Sequence, residues 1–158
     1  MATAVVNGTV KVPLSSARVI LMARVKASAR WFWWIAGLSL INTIAAMADS
    51  KFHFIVGLGF TQLVDGISKK LTGSVGFGAL FFDVLFAALF FGFGWVAGKG
   101  RDWAFILGMI AYALDALLFL FAKDVIGIGF HLFALWCIYK GLKANEQLTQ
   151  LASAAQPA

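Results

Sequence analysis

Three apolar stretches decide the fold of this chain: VGFGALFFDVLFAALFFGFGWVAG (75–98), WAFILGMIAYALDALLFLFA (103–122) and VIGIGFHLFALWCIYKGL (125–142). Each stretch approaches or exceeds the run of about 20 mostly apolar residues that a helix needs to cross a bilayer. The joins between them, at 99–102 and 123–124, have room only for tight turns. Consecutive helices are therefore expected to be antiparallel neighbours in a membrane bundle.

The composition of the whole chain agrees with a membrane protein. Of its 158 residues, 61% are hydrophobic and 13% are charged, whereas a soluble domain has about 25% charged residues. So few polar residues could not cover a soluble fold of this size, so we predict one small all-α integral membrane domain. Cys137 is the single cysteine, which excludes an intrachain disulfide and a thiolate zinc site.

Before residue 75, the apolar stretches are shorter and contain more polar residues. The segment 31–48 opens with the aromatic cluster WFWW and is predicted to be a first span. It follows a basic arm, 1–30, in which 14–30 has the pattern of an amphipathic interfacial helix. The segment 52–71 is diluted by polar residues and glycine, so it is either a short or re-entrant helix or a fifth span. We predict a four-helix transmembrane bundle over 31–142, followed by a polar tail, 143–158, that extends the last helix by a few turns.

The basic residues predict the orientation. Four spans place nine lysines and arginines on one side and four on the other, whereas five spans divide them eight to five. Because basic residues stay on the cytoplasmic side, the four-span arrangement is favoured and both termini are predicted to be cytoplasmic. The basic arm is the ordinary topogenic signal, so we predict the lipid bilayer, and no nucleic acid, as its partner.

Three ionisable side chains interrupt the apolar stretches at one predicted depth. Asp83, Asp115 and His131 each lie roughly 12–13 Å from the same membrane face at ~1.5 Å per residue. With four spans, Asn42 joins this level. The predicted intramembrane polar cluster is therefore Asn42, Asp83, Asp115 and His131, and two residues of the short segment could cap it: Gln62 and Asp65. We expect Asp115 and His131 to contact each other, because a two-residue turn joins their helices.

The cluster admits three interpretations. Buried polar side chains hold membrane helices together by hydrogen bonds. Intramembrane Asp and His are also the usual groups of proton pathways. Two carboxylates and a histidine could bind a metal, although no paired motif such as His-Glu-x-x-His supports this. We predict the first interpretation, with no catalytic residue, no metal and no cofactor.

Small residues at four-residue spacing predict close helix packing on the first of the three apolar stretches. Gly94 with Gly98, and Ala88 with Gly92, each place two small side chains on one helix face. Such spacing lets membrane helices approach closely.

Three segments, WFWWIAGLSLIN (31–42), GLGFTQLVDGI (57–67) and GIGFHLFALWCIYKGLKA (127–144), resemble a group of small bacterial multi-span membrane proteins with no assigned activity. The resemblance implies that the protein is located in the bacterial inner membrane, and it assigns no catalytic residue. Our leading hypothesis is a non-enzymatic accessory or scaffold subunit, in a homo-oligomer or a larger membrane complex. The second is a proton- or cation-coupled transporter that uses Asp83, Asp115 and His131, and the third is a metal-dependent intramembrane enzyme.

Overall fold

The computed structural model describes residues 3–6, 10–48, 58–73 and 75–154 of the chain. Two short strands come first, followed by five helices. Their bounds are β1 Thr3–Val6, β2 Val10–Pro13, α1 Leu14–Met47, α2 Gly59–Thr72, α3 Phe77–Ala97, α4 Asp102–Phe121 and α5 Val125–Ala154. The strands pair antiparallel, with Val6 opposite Val10, and α1 begins directly after the second strand.

Three helices, α3, α4 and α5, are long and apolar enough to cross a membrane. Their most apolar stretches have mean hydropathies of 2.0, 2.2 and 1.6. The 21 residues of α3 span roughly 30 Å at ~1.5 Å per residue, which is the thickness of the hydrocarbon core. The three spans predicted at 75–98, 103–122 and 125–142 are therefore helices of membrane length, and this supports the membrane class.

The N-terminal segments form one helix. The predicted interfacial helix at 14–30 and the segment predicted as the first span, 31–48, are continuous in α1, whose 34 residues contain no break. This helix is not among the three that are both long and apolar enough to cross a membrane. Three tryptophans and Asn42 lower the hydropathy of its second half.

The C-terminal tail is part of the bundle to a greater extent than its polar sequence indicates. The predicted extension of the last helix is present and reaches Ala154. Ala144 and Asn145 are buried, and Leu148 and Leu151 pack against the core. Both α1 and α5 are longer than the bilayer core requires, and they lie side by side. The first half of α1 therefore lies next to this extension of α5.

Close helix contacts surround Phe32, which is completely buried. Its ring lies against Gly108 of α4, where an added Cβ would come within 2.5 Å of the ring carbons. The predicted packing role of Gly94 is also present, because a Cβ there would overlap the Trp33 ring. Ala88 and Gly92 instead lie on the exposed face of α3, so within the described residues they contribute no such contact.

Candidate functional site

The three ionisable residues of the spans lie at one level. Asp83 is six residues after the start of α3, Asp115 is six before the end of α4, and His131 is six after the start of α5. Because these helices alternate in direction, the equal offsets place the three side chains about 9 Å from the same end of the bundle. All three are buried.

The predicted contact between Asp115 and His131 is present. The Nε2 atom of His131 lies 3.0 Å from Oδ2 of Asp115, and its Nδ1 lies 2.8 Å from the carbonyl oxygen of Gly127. A carbonyl only accepts, so Nδ1 carries a proton and donates it. The short contact at Nε2 then needs one further proton, carried either by the imidazole or by the carboxyl. The contact is therefore a hydrogen bond between α4 and α5 whichever of the two groups carries that proton.

Aromatic rings hold the imidazole of His131 in place. The Tyr112 ring is stacked on it, with centroids 4.3 Å apart, and the Phe119 ring lies 4.5 Å away on a tilt. Phe119 in turn needs glycine on two helices, because a Cβ at Gly59 or at Gly127 would overlap its ring. This packing encloses the imidazole completely, with no exposed surface.

The carboxylate of Asp115 also caps the buried start of α2. Its Oδ2 accepts a hydrogen bond from the backbone N–H of Gly59, and its Oδ1 accepts one from the N–H of Phe60, both at 2.8 Å. Ser39 of α1 accepts the N–H of Leu58 at 2.6 Å. The first N–H groups of a helix have no partner within it and carry partial positive charge, so a carboxylate is well suited to this position. Asp115 thus joins α4, α5 and α2.

A second group of carboxyls lies between α1, α2 and α3. Thr43 donates from its hydroxyl to Oδ2 of Asp83 at 2.9 Å, and Asp83 is close enough to Asp65 to raise the pKa of the Asp65 carboxyl through a hydrogen bond and through its charge. Neither Oδ1 atom receives an N–H or hydroxyl donor from the described residues. A bond between two carboxyls requires a proton on one of them, because both are acceptors when ionised. Asp65 and Asp83 therefore form a carboxyl dyad.

Burial raises the pKa of Asp65 from its ordinary 3.8 to about 7, and the hydrogen bond and charge of Asp83 add to the effect. Asp65 belongs to α2, which is not one of the membrane-length helices. Two carboxylates so close together cannot both ionise without strong repulsion. The dyad therefore retains a proton at pH values where an exposed aspartate has lost it.

This shift predicts a pH dependence of stability. The folded protein holds the Asp65 proton more tightly than the unfolded chain does, so the contribution is fully present below about pH 4 and is lost as the pH rises through about 7. In melting experiments in detergent, we expect the Asp65→Asn variant to show a shallower decline over this range. Glu146→Gln, which removes a half-exposed carboxylate, should retain the slope. An unchanged slope in Asp65→Asn would contradict the dyad.

The structure divides the predicted polar cluster into two groups. Asp115 and His131 form one group, and Asp83 belongs to the other, with Asp65 and Thr43 as its partners. Asp65 was predicted as a cap, but it is a buried member of the cluster itself. Asn42 is buried on the same face of α1 as Thr43, and the Gln62 Nε2 atom is buried without a partner among the described residues. His53 lies outside the described residues.

Sequence reasoning missed several residues of the site: Ser39, Thr43, Tyr112 and the backbone N–H groups at the start of α2. A signal for two of them was present, because Ser39, Asn42 and Thr43 follow i, i+3, i+4 spacing in an otherwise apolar segment. That spacing places all three on one helix face. No comparable signal marks the helix start at Gly59, because its capping residue lies 56 positions away in sequence.

The side chains of both groups can hold a proton between two polar atoms, and their hydrogen bonds join helices to one another. Among the described residues, no three His, Cys, Asp or Glu side chains lie close enough to hold a metal ion. Asp83, Asp115 and His131 are thus at one level but are not arranged around one point.

Comparison of the chain with protein-family models, curated proteins and solved structures finds no match.

Proposed function

We propose that this protein is a four-span integral membrane protein of the bacterial inner membrane, acting as a non-enzymatic accessory or scaffold subunit. One observation carries the proposal: all the side-chain polar atoms of Asp115 and His131 have hydrogen-bond partners, and the bonds of Asp115 join α4 to α2 and α5. The Asp115 oxygens bind two backbone N–H groups and the imidazole, and the second imidazole nitrogen binds a backbone carbonyl. A pair engaged in this way stabilises the fold and has little capacity left for a substrate.

The second half of α1 is the proposed fourth span. Its polar residues Ser39, Asn42 and Thr43 are buried, whereas Trp34, Ile41 and Ile44 are exposed. A polar inner face and an apolar outer face are expected of a helix that borders lipid on one side and a bundle on the other. The exposed face of α3, which carries Ala88 and Gly92, offers close approach to a further membrane helix.

The proposed orientation places both termini in the cytoplasm. Trp31 contacts Phe133 near Trp136, and Trp33 donates its indole N–H to the carbonyl of Phe91 at 3.2 Å. Trp95 and Trp103 flank the turn that carries Lys99 and Arg101, so aromatic and basic residues share this end of the bundle, as expected at a cytoplasmic interface. A reporter fused after Ala154 should be active in the cytoplasm. Activity only outside the cytoplasm would exclude this orientation.

The carboxyl dyad favours a second candidate, a proton-coupled transporter. Asp65 and Asp83 share a proton and have oxygens without donors among the described residues, so they could accept and release protons. Intramembrane carboxyls of this kind are found in proton pathways. Because a small bundle encloses little space, this function would require a homo-oligomer.

Substitution of Asp83 distinguishes the two candidates. In the Asp83→Asn variant, the new amide can donate to the Asp65 carboxylate and so replace the shared proton, whereas Leu leaves Asp65 and Thr43 without that partner. For a scaffold, we expect Asp83→Asn to retain the melting temperature and Asp83→Leu to lose about 1–3 kcal/mol of stability. Proteoliposomes that contain the unmutated protein and enclose a pH-sensitive dye should show no more proton flux than liposomes without protein.

Flux through the unmutated protein that disappears in a normally folded Asp83→Asn variant would contradict the scaffold proposal and establish the transporter. Val84→Ala, a neighbouring change on the exposed face of α3, serves as the matched control for folding and reconstitution.

A further inference from the structure

A groove runs between α1 and the C-terminal end of α3. We call it the α1–α3 groove. It has a volume of about 540 Å³, and its walls carry three cationic side chains, Lys26, Arg30 and Lys99, and two indole rings, Trp33 and Trp95. This volume falls within the range of about 300–1,000 Å³ typical of small-molecule sites. The groove is separate from the buried carboxyls and from the function proposed for them.

Small residues make the groove possible. Ala29, Gly94 and Gly98 line it, and the missing side chain at Gly94 lets the Trp33 ring lie directly against α3. The bond from the Trp33 indole N–H to the Phe91 carbonyl fixes that ring in place. One wall of the groove is therefore held by both packing and a hydrogen bond.

The three cations come from both helices that line the groove. Lys26 and Arg30 are four residues apart on α1 and so lie on the same helix face. Lys99 follows the end of α3 at Ala97, and its ammonium group lies over the Trp95 ring, 3.2 Å from the centroid. In the described part of the chain, no carboxylate forms an ion pair with any of the three. Within these described residues, the positive charge of the groove is therefore not neutralised by an ion pair.

The position of the groove indicates what can reach it. It lies where the apolar part of α3 ends, at the level at which Trp and Lys residues mark the boundary between lipid and water. The groove therefore presents indole rings and cations side by side, with the Lys99 ammonium lying on the Trp95 ring. A phosphate group attached to acyl chains matches this combination of cations and apolar rings, and basic pockets between membrane helices are suited to such headgroups.

We propose that the α1–α3 groove binds the phosphate headgroup of an anionic phospholipid. Lys26, Arg30 and Lys99 contact the phosphate oxygens, and Trp33 and Trp95 pack along the upper acyl chains. A free phosphate ion shares the first set of contacts but not the second, so the lipid is the better match to the groove.

The test is lipid retention measured by native mass spectrometry, with the full-length protein released from micelles that contain equal amounts of phosphatidylglycerol and phosphatidylcholine. We expect the unmutated protein to retain phosphatidylglycerol preferentially. Each removed cation should weaken retention about fivefold, and the triple variant Lys26→Gln, Arg30→Gln, Lys99→Gln about a hundredfold. Lys26→Arg with Lys99→Arg preserves the charge and should retain the lipid.

Lys143→Gln is the matched control, because Lys143 is at the same end of the bundle but is already paired with Glu146 at 2.7 Å. This variant should bind as the unmutated protein does. Equal retention of both lipids, or an unchanged affinity in the triple variant, would overturn the proposal. Release of phosphatidylglycerol by inorganic phosphate as effectively as by excess lipid would overturn it too, since it would assign the groove to a soluble phosphate.

Discussion

Replacement of Asp115 by leucine is expected to lower the free energy of unfolding by about 3–5 kcal/mol, because it removes one partner of a buried hydrogen-bonded pair and leaves two helix N–H groups without acceptors. The variant leaves the N–H groups of Gly59 and Phe60 without acceptors and deprives His131 of its partner. Because these N–H groups begin α2, the loss should be concentrated there. Asp115→Asn should have a smaller effect than Asp115→Leu, since the amide oxygen of asparagine can still accept one of the two N–H bonds.

Two measurements check this expectation. The melting temperature in detergent reports the total loss, and hydrogen exchange at Gly59 and Phe60 reports whether α2 has separated from the bundle. Leu114→Ala is the matched control, because Leu114 is the preceding residue and is 61% exposed. If Asp115→Leu melts normally and these two amides remain protected, the cap does not hold α2 in place.

The second large effect concerns Phe32, for which truncation to alanine is expected to cost about 3–5 kcal/mol. The side chain has no exposed surface, and its ring lies 6.1 Å from those of Phe90 and Phe93 and 6.3 Å from that of Phe105. Helices in a bilayer associate mainly through such packing, because lipid is as apolar as the core. The cavity left by the ring would lie between α1, α3 and α4.

Trp34→Ala provides the comparison for Phe32→Ala. It removes a larger side chain two residues away, but Trp34 is 64% exposed, so detergent or lipid can fill the space. We expect a loss below about 1 kcal/mol, as for other surface changes. The measurement is detergent-dependent melting of both variants. Equal destabilisation would mean that the orientation of α1 in the bundle differs from that in the structure.

Hydropathy alone located the membrane-length helices. The stretches predicted at 75–98 and 103–122 correspond to Phe77–Ala97 and Asp102–Phe121. This succeeds because a bilayer imposes one length and one polarity on every span, and both are properties of a local segment. The common depth of Asp83, Asp115 and His131 was predictable for a related reason, since a fixed rise per residue and short turns determine the level of each side chain.

The partners within that level were predictable only where the connection was short. Asp115 and His131 flank a tight turn, so their helices had to be neighbours, and the predicted contact is present. The partners of Asp83 are Thr43 and Asp65, from helices that are distant in sequence. Which way each helix faces is set by rotation about its axis, and a span that is apolar all round has no pattern from which that rotation could be read.

The sequence by itself determined that this chain is helical and belongs in a membrane, where its spans lie and how deep their ionisable groups are, because these follow from local composition and helix geometry. Only the tertiary structure decided that Asp115 caps the first turn of α2, that Asp65 lies beside Asp83, and that three cations border one groove. Each of these depends on contacts between helices far apart in sequence, for which packing, rather than local pattern, selects the partners.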